Sequence, residues 1–149
     1  MEERMQGTNG KLKRREAREQ AFQILFEKTV NDEPMRELME AAEEAWEMQI
    51  DAYASRILLL TEEKQEEIDE RIAKHLRGWN LRRLSKVTLS LLRLAVCEMC
   101  FLQQEDVPVS VSINEAVELA KRYGNEKDAS YINGVLASVA RAEDGAGNA

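Results

Sequence analysis

A chain of 149 residues has the length of one domain, with 44% hydrophobic residues to build a core and 33% charged residues to cover it. Only 7 Gly, 2 Pro and 5% aromatic residues occur in a sequence rich in Ala, Glu, Leu, Arg and Lys, a composition that points to helices and excludes sandwiches, barrels and collagen-like repeats. Apolar runs such as residues 57–60 fall far short of the roughly 18 residues of a membrane span, and the opening MEERMQGTNG has no secretory character, so a soluble, cytoplasmic, all-α domain is expected.

Residues 1–12 lack periodicity and read as a disordered, basic N-terminal arm; residues 13–142 form the folded domain and 143–149 a flexible tail. The first helix begins near Lys13 and turns Ala17, Ala21, Phe22, Ile24, Leu25 and Phe26 towards a core. Asn31-Asp32-Glu33-Pro34 ends it, since the residue before Pro avoids the helical region and Pro suits a new first turn. The next helix carries Leu38, Met39, Ala42, Ala45 and Trp46, and a third uses Ile50, Tyr53, Ala54, Ile57 and Leu58. Thr61 reads as the N-cap of a fourth, with Glu62 and Glu63 in its first turn, Ile68, Ile72 and Leu76 as its seam, and Gly78 just past its end.

After Trp79-Asn80 the pattern changes. Leu84, Val87, Leu91, Leu92, Leu94, Ala95, Val96, Met99 and Leu102 leave little polar circumference, which marks a buried central helix. Glu105-Asp106-Val107-Pro108 breaks it. Ser112-Ile113-Asn114-Glu115 has the spacing of a capping box, predicting a sixth helix from Ser112 with Ile113, Ala116, Val117 and Ala120 inward and Gly124 at its end. A seventh follows Asp128, with Ile132, Val135, Leu136 and Val139 inward. Seven helices joined by short connections predict a compact all-α bundle.

The chemistry available is narrow. Cys97 and Cys100 have CxxC spacing but lie inside the apolar helix instead of opening one, so they read as two reduced, buried thiols. His75, the one histidine, sits among Arg71, Lys74 and Arg77 and is expected to be solvated. A zinc site needs four ligands and a Ser-His-Asp triad a supported base, and the scattered glycines form no phosphate loop. No enzyme, cofactor, metal or catalytic residue is expected.

Charge is strongly segregated beneath the net −7. Residues 11–18 hold five cations against Glu16; residues 32–70 hold fourteen acids against three cations; residues 71–93 hold seven cations and no acid. A charge run is ordinarily a solvated helix face, but two basic segments in one small acidic chain offer a surface for nucleic acid, because binding follows the local field and not the total.

Three stretches together carry a resemblance. PVSVSINEAVELAKRYG at 108–124, followed by YINGVL at 131–136, resembles the C-terminal signature of the NusB family of transcription antitermination factors; RREAR with AFQILF at 14–26 is similar to its first helix, and Trp79, Arg83-Leu84 and LLRLAVCE at 91–98 to its central one. The matches run in order over residues 13–141. The resemblance implies a NusB-like fold of two helical subdomains and a factor that pairs with the ribosomal protein NusE. Together they would bind the single-stranded boxA element of nascent RNA and join RNA polymerase on ribosomal RNA operons. Some ribosomal RNA methyltransferases carry a similar domain in front of a catalytic one, and a chain ending at Ala149 is expected to be the stand-alone factor.

Single-stranded RNA is held by cations along its phosphates and by rings on which bases stack. The candidates are Lys11, Lys13, Arg14, Arg15 and Arg18 with Lys127, and Tyr131 for stacking, with Arg82, Arg83 and Lys86 as additional contacts. Tyr131 reads equally as a platform or as a tyrosine at the edge of the core. Backbone amides around Asp128 are further phosphate donors, Gly134 is expected to permit close helix packing, and Arg93 to pair with Glu98 or another acid as a strut. The N-terminal cations and Tyr131 are expected to line one groove. The chain departs from the family pattern at Thr88 and Ala137, where an acid is common, which bears on contacts with a basic ribosomal partner; residues 32–70 offer compensating acids. The competing reading is a helical adaptor that binds proteins through that acidic middle and never touches RNA.

Overall fold

The computed structural model describes residues 12–77, 80–102 and 106–148. Residues 1–11 of the expected 1–12 arm, including Lys11, lie outside the described residues, as do the Gly78-Trp79 junction and Glu105. Seven α-helices occur among those described: α1 (Arg14–Asn31), α2 (Met35–Trp46), α3 (Ala52–Glu63), α4 (Gln65–Ala73), α5 (Lys86–Phe101), α6 (Val109–Tyr123) and α7 (Glu126–Asn148), with a 3-10 turn at Leu81–Arg83 before α5.

The all-α architecture is as expected, and α5 is its axis. Its residues from Thr88 to Met99 are buried almost without interruption; α1, α3 and α4 pack on it from one side and α6 and α7 from the other. A helix apolar around its whole circumference can be accommodated only by such enclosure. Its polar residues are bonded within the core or at its rim. The Ser85 hydroxyl caps the helix by accepting from the Thr88 amide at 3.1 Å, and the Ser90 and Thr29 hydroxyls meet at 2.9 Å. Arg93 is a strut as expected, but its partner is Asp69 on α4, held bidentately at 2.8 and 2.9 Å.

Several helix starts differ from the sequence reading. Thr61 is no N-cap: it is buried in the last turn of α3, and α4 begins after Lys64. The cap that matters for α3 is Asp51, whose carboxylate accepts from the Tyr53 amide at 2.7 Å. Ser112 opens nothing either. Helix α6 starts directly after Pro108, whose carbonyl accepts from Val111 and Ser112, so Ser112 lies a full turn inside and its buried hydroxyl has no hydrogen-bond partner. A proline's fixed φ suits a helix start, and here it overrides the capping-box pattern. Helix α7 starts at Glu126, with the Asn125 side chain accepting from the Asp128 amide at 2.8 Å. It continues to Asn148, past the expected boundary at 142, with Glu143 paired to Arg71 of α4.

Two glycines behave differently from one another. A Cβ at Gly124, between α6 and α7, would lie 2.5 Å from the Asp128 carboxylate and 3.0 Å from the Ala120 carbonyl, so a side chain there would force Asp128 to move and crowd the end of α6. Gly134, in contrast, is no packing glycine: a Cβ there would meet nothing within 4 Å.

Cys97 is buried, Cys100 half-buried, and both are free. Burial pushes the Cys97 thiol up from 9.0 to about 12 and the Cys100 thiol to about 11. His75, expected in solvent, is half-buried, with Nδ1 2.7 Å from the Ser138 hydroxyl of α7.

Two measurements test this core. Leu91 is fully buried at the centre of α5, so Leu91→Ala should lower unfolding stability by about 2–5 kcal/mol in denaturant titration; an unchanged midpoint would make α5 peripheral. The raised thiol pKa has a definite sign. The stabilisation is fully present below the unfolded value near 9.0 and is lost as pH rises towards about 12, because only the unfolded chain can then ionise Cys97 freely. Cys97→Ala should therefore flatten the decline of stability above pH ~9 relative to the parent chain.

Candidate nucleic-acid interface

The cations predicted at the start of α1 go to different places. Lys13, Arg14 and Arg15 are exposed, whereas Arg18 is buried. Arg14 and Arg18 share one face of α1, and Arg18, one turn further along the helix, is buried against α5. There its guanidinium engages Glu98 at 2.9 and 3.0 Å, with side chains 4% and 0% exposed. The Tyr53 hydroxyl donates to the same carboxylate. Burial and the Glu98 hydrogen bond push the Tyr53 phenol far above its ordinary value, keeping it a donor. Arg18 is thus withdrawn from the expected RNA-binding set: its charge is satisfied inside the protein and has no path to a phosphate.

Arg14 stacks its guanidinium 3.8 Å from the centre of the Tyr53 ring, on the outer side of the same cluster. Arg15 forms a bidentate pair with Glu115 of α6 at 3.0 and 2.9 Å while remaining 67% exposed. The hydrogen bond from Arg15 holds the Glu115 carboxyl below the usual carboxylate range. Beside this pair lies a cavity of about 520 Å³ lined by Glu16, Glu19, Glu115 and Glu118 against Arg15, Lys121 and Arg122. Four carboxylates against three cations make a poor site for phosphate.

The second group converges better. Arg83 from the 3-10 turn, Ser85 and Thr88 from the start of α5, and Lys127, Asp128 and Tyr131 from the first turns of α7 enclose a cavity of about 430 Å³. Lys127 and Arg83 are exposed, and Tyr131 is half-buried. Its hydroxyl is buried without a hydrogen-bond partner, and burial pushes its pKa up. Tyr131 is therefore both things the sequence allowed, a core-edge residue that also walls an open cavity. The Asp128 amide, expected to face phosphate, is already taken by Asn125.

Arg82 and Lys86 face elsewhere. They line a separate cavity of about 370 Å³ with Lys28, Asp32, Asp69 and Arg93. The 3-10 turn thus sends adjacent arginines to opposite sides of the α5 start. Of the N-terminal cations, Arg15 lines a different cavity from Tyr131.

Comparison with known proteins decides what this arrangement belongs to. The model of the NusB family matches residues 15–141. A transcription antitermination protein NusB from Clostridium botulinum (strain Kyoto / Type A2) is 43% identical over 145 residues, covering 86% of this chain and 99% of that protein. The NusB of Bacillus subtilis (strain 168) is 43% identical over 128 residues, covering 86% and 95%. The chain belongs to the NusB family.

Solved structures agree with this. A crystal structure of the antitermination factors NusB and NusE in complex with dsRNA superposes with a TM-score of 0.78 at 31% identity, covering 87% of this chain and 96% of that one. A T. maritima NusB gives 0.74 at 35%, covering 86% and 90%. Within the NusB frame, the two departures from the family pattern fall in distinct settings. Thr88 is buried in the wall of the Tyr131 cavity, and Ala137 is half-buried on α7. A neutral wall at Thr88 leaves Arg83 and Lys127 opposed there by Asp128 alone.

The burial of Arg18 yields a test that separates structure from binding. Removing one partner of a buried ion pair leaves an uncompensated charge, so Glu98→Ala should cost about 3–5 kcal/mol of stability. Arg18→Ala should also destabilise, yet leave the salt dependence of any RNA binding by the folded protein unchanged. A flattened salt slope for Arg18→Ala would return that residue to the RNA surface.

Proposed function

We propose that this member of the NusB family is a cytoplasmic antitermination factor. It binds boxA-type single-stranded RNA together with NusE, acts with RNA polymerase on ribosomal RNA operons, and works by binding and not by catalysis. The observation that carries the reading is the cavity that Tyr131 lines together with Arg83, Lys127 and Asp128, in a fold shared with a NusB crystallised with NusE and dsRNA. A ring in one cavity with two cations has the chemistry single-stranded RNA needs: a face for a base and charges for neighbouring phosphates. Lys13, Arg14 and Arg15 add positive potential at the start of α1, with Lys11 preceding them in the chain. Arg82 and Lys86 are secondary contacts at most, because they face the Arg93–Asp69 pair and not Tyr131.

The adaptor reading rests on the acidic middle of the chain, where four of the fourteen acids are engaged internally. Asp51 caps α3, Glu43 accepts from the Ile50 amide, Glu62 accepts from Lys28 and the Met35 amide, and Asp69 holds Arg93. The other ten are exposed, so the segment keeps an acidic surface that a basic protein partner could meet.

The test is binding of a boxA-like oligonucleotide, single-stranded and as a duplex, with and without NusE. Single-stranded RNA should bind and gain affinity when NusE is present. Tyr131→Ala should cost about 1–3 kcal/mol of binding and leave the salt slope almost unchanged. Arg83→Glu with Lys127→Glu should flatten the log–log slope by about 0.7 for each phosphate that is no longer neutralised. Arg14→Glu with Arg15→Glu should act in the same way with a smaller effect. Binding of NusE without any effect on RNA would favour the adaptor.

A further inference from the structure

The polar stripe on α7 does not stop at Tyr131. Lys127, Tyr131, Gly134, Ser138 and Arg141 recur at intervals of three or four residues and therefore share one face of the helix. From Lys127 to Arg141 the axis advances about 21 Å, far longer than one stacked nucleotide. The lower half of this face opens into a second cavity of about 400 Å³, bounded by His75, Arg77, Ser130, Ser138 and Arg141, with Gly134 in its lining. Tyr131 lines both cavities and so stands as the partition between them.

Three features distinguish this second cavity. Its lining among the described residues contains two arginines and a histidine and no carboxylate, whereas the cavity beside Arg15 carries four. Its histidine is already oriented: Nδ1 sits 2.7 Å from the Ser138 hydroxyl, which fixes the ring. Its glycine has no internal purpose. Gly in mid-helix is unfavourable relative to every residue but proline, and a Cβ at Gly134 would meet nothing within 4 Å. The missing side chain keeps the floor of the cavity open to something outside the chain.

We propose that this cavity continues the RNA site, so that a strand whose base stacks on Tyr131 passes over Gly134 and sets its next phosphates against Arg77 and Arg141, with His75 and Ser138 as hydrogen-bonding groups beside them. The proposal rests on the RNA-binding reading above and extends it from one nucleotide position to a track along α7. An acid-free basic cavity suits a polyanion, and a bare glycine backbone lets a sugar–phosphate chain approach more closely than any side chain would allow.

The experiment compares a short boxA-like single strand with the same strand extended by about five nucleotides at its 5′ end or at its 3′ end, in the full-length protein. One of the extended strands should bind the parent protein with a steeper salt slope than the short one. Arg77→Ala with Arg141→Ala should remove that increment, about 0.7 per phosphate, and leave the short strand's binding as it was. Gly134→Leu should leave the unfolding midpoint unchanged or raised, because Leu is the better helix former and the space is empty, while lowering affinity for the extended strand. Equal slopes for all three strands, or an extended strand that ignores both variants, would overturn the track and leave the Tyr131 site standing. Failure of the short strand itself to bind would instead overturn the underlying RNA reading. Loss of NusE affinity in the arginine variant, with extended-strand binding intact, would assign the surface to a protein and also overturn the proposal.

Discussion

Arg18 of α1 and Glu98 of α5 are buried against one another, with the Tyr53 hydroxyl of α3 on the same carboxylate. Three helices are tied at one point by groups that are costly to bury and more costly to separate. Such a cluster contributes less to net stability than an apolar substitute of equal volume could, since desolvating both ions offsets much of their attraction. Its effect is on geometry. A bidentate guanidinium–carboxylate pair tolerates little rotation, so α1 is held at one register on the central helix. The outer side of the cluster then sets the surface: Tyr53, locked by its bond to Glu98, presents its ring to Arg14, and the next residue, Arg15, reaches across to α6. Buried and exposed cations on one turn of α1 are two ends of the same constraint.

The same logic explains how an acidic protein can present basic surface. Several carboxylates are taken up by amide caps and ion pairs within the fold, at Asp51, Glu43, Glu62 and Asp69. Arginines of the basic stretch are likewise divided. Arg71 pairs with Glu143 and lies 5.2 Å from the centre of the Phe101 ring, and Arg93 pairs with Asp69. Arg83 and Arg77 turn towards α7, on either side of Tyr131. Beside α7, then, Arg77, Arg83, Lys127 and Arg141 line two neighbouring cavities whose lining holds one carboxylate, that of Asp128.

That face depends on α5 as well. Because α5 is enclosed by helices on both sides, α7 is held against it by Ile132, Val135, Leu136 and Val139, all buried. With these residues inward, the residues between them have no choice but to face out or sit at the rim, and Tyr131 at the rim is the consequence.

The amino-acid sequence by itself determined the helical class, the number of helices, the buried central helix and the family. Those follow from local composition, from a 3.6-residue apolar period and from strings such as YINGVL that are contiguous in the chain. It also marked the cations as a set. What it did not contain was their division. Whether Arg18 faces a phosphate or a carboxylate depends on Glu98, 80 residues away, and whether Gly134 packs or stays open depends on what lies above it in space. The N-cap at Thr61 and the capping box at Ser112 failed for the same reason: local hydrogen bonding competes with where neighbouring helices and prolines allow a helix to begin, and tertiary packing wins. Local periodicity is written in the sequence, but pairing across long separations is decided only when the helices meet.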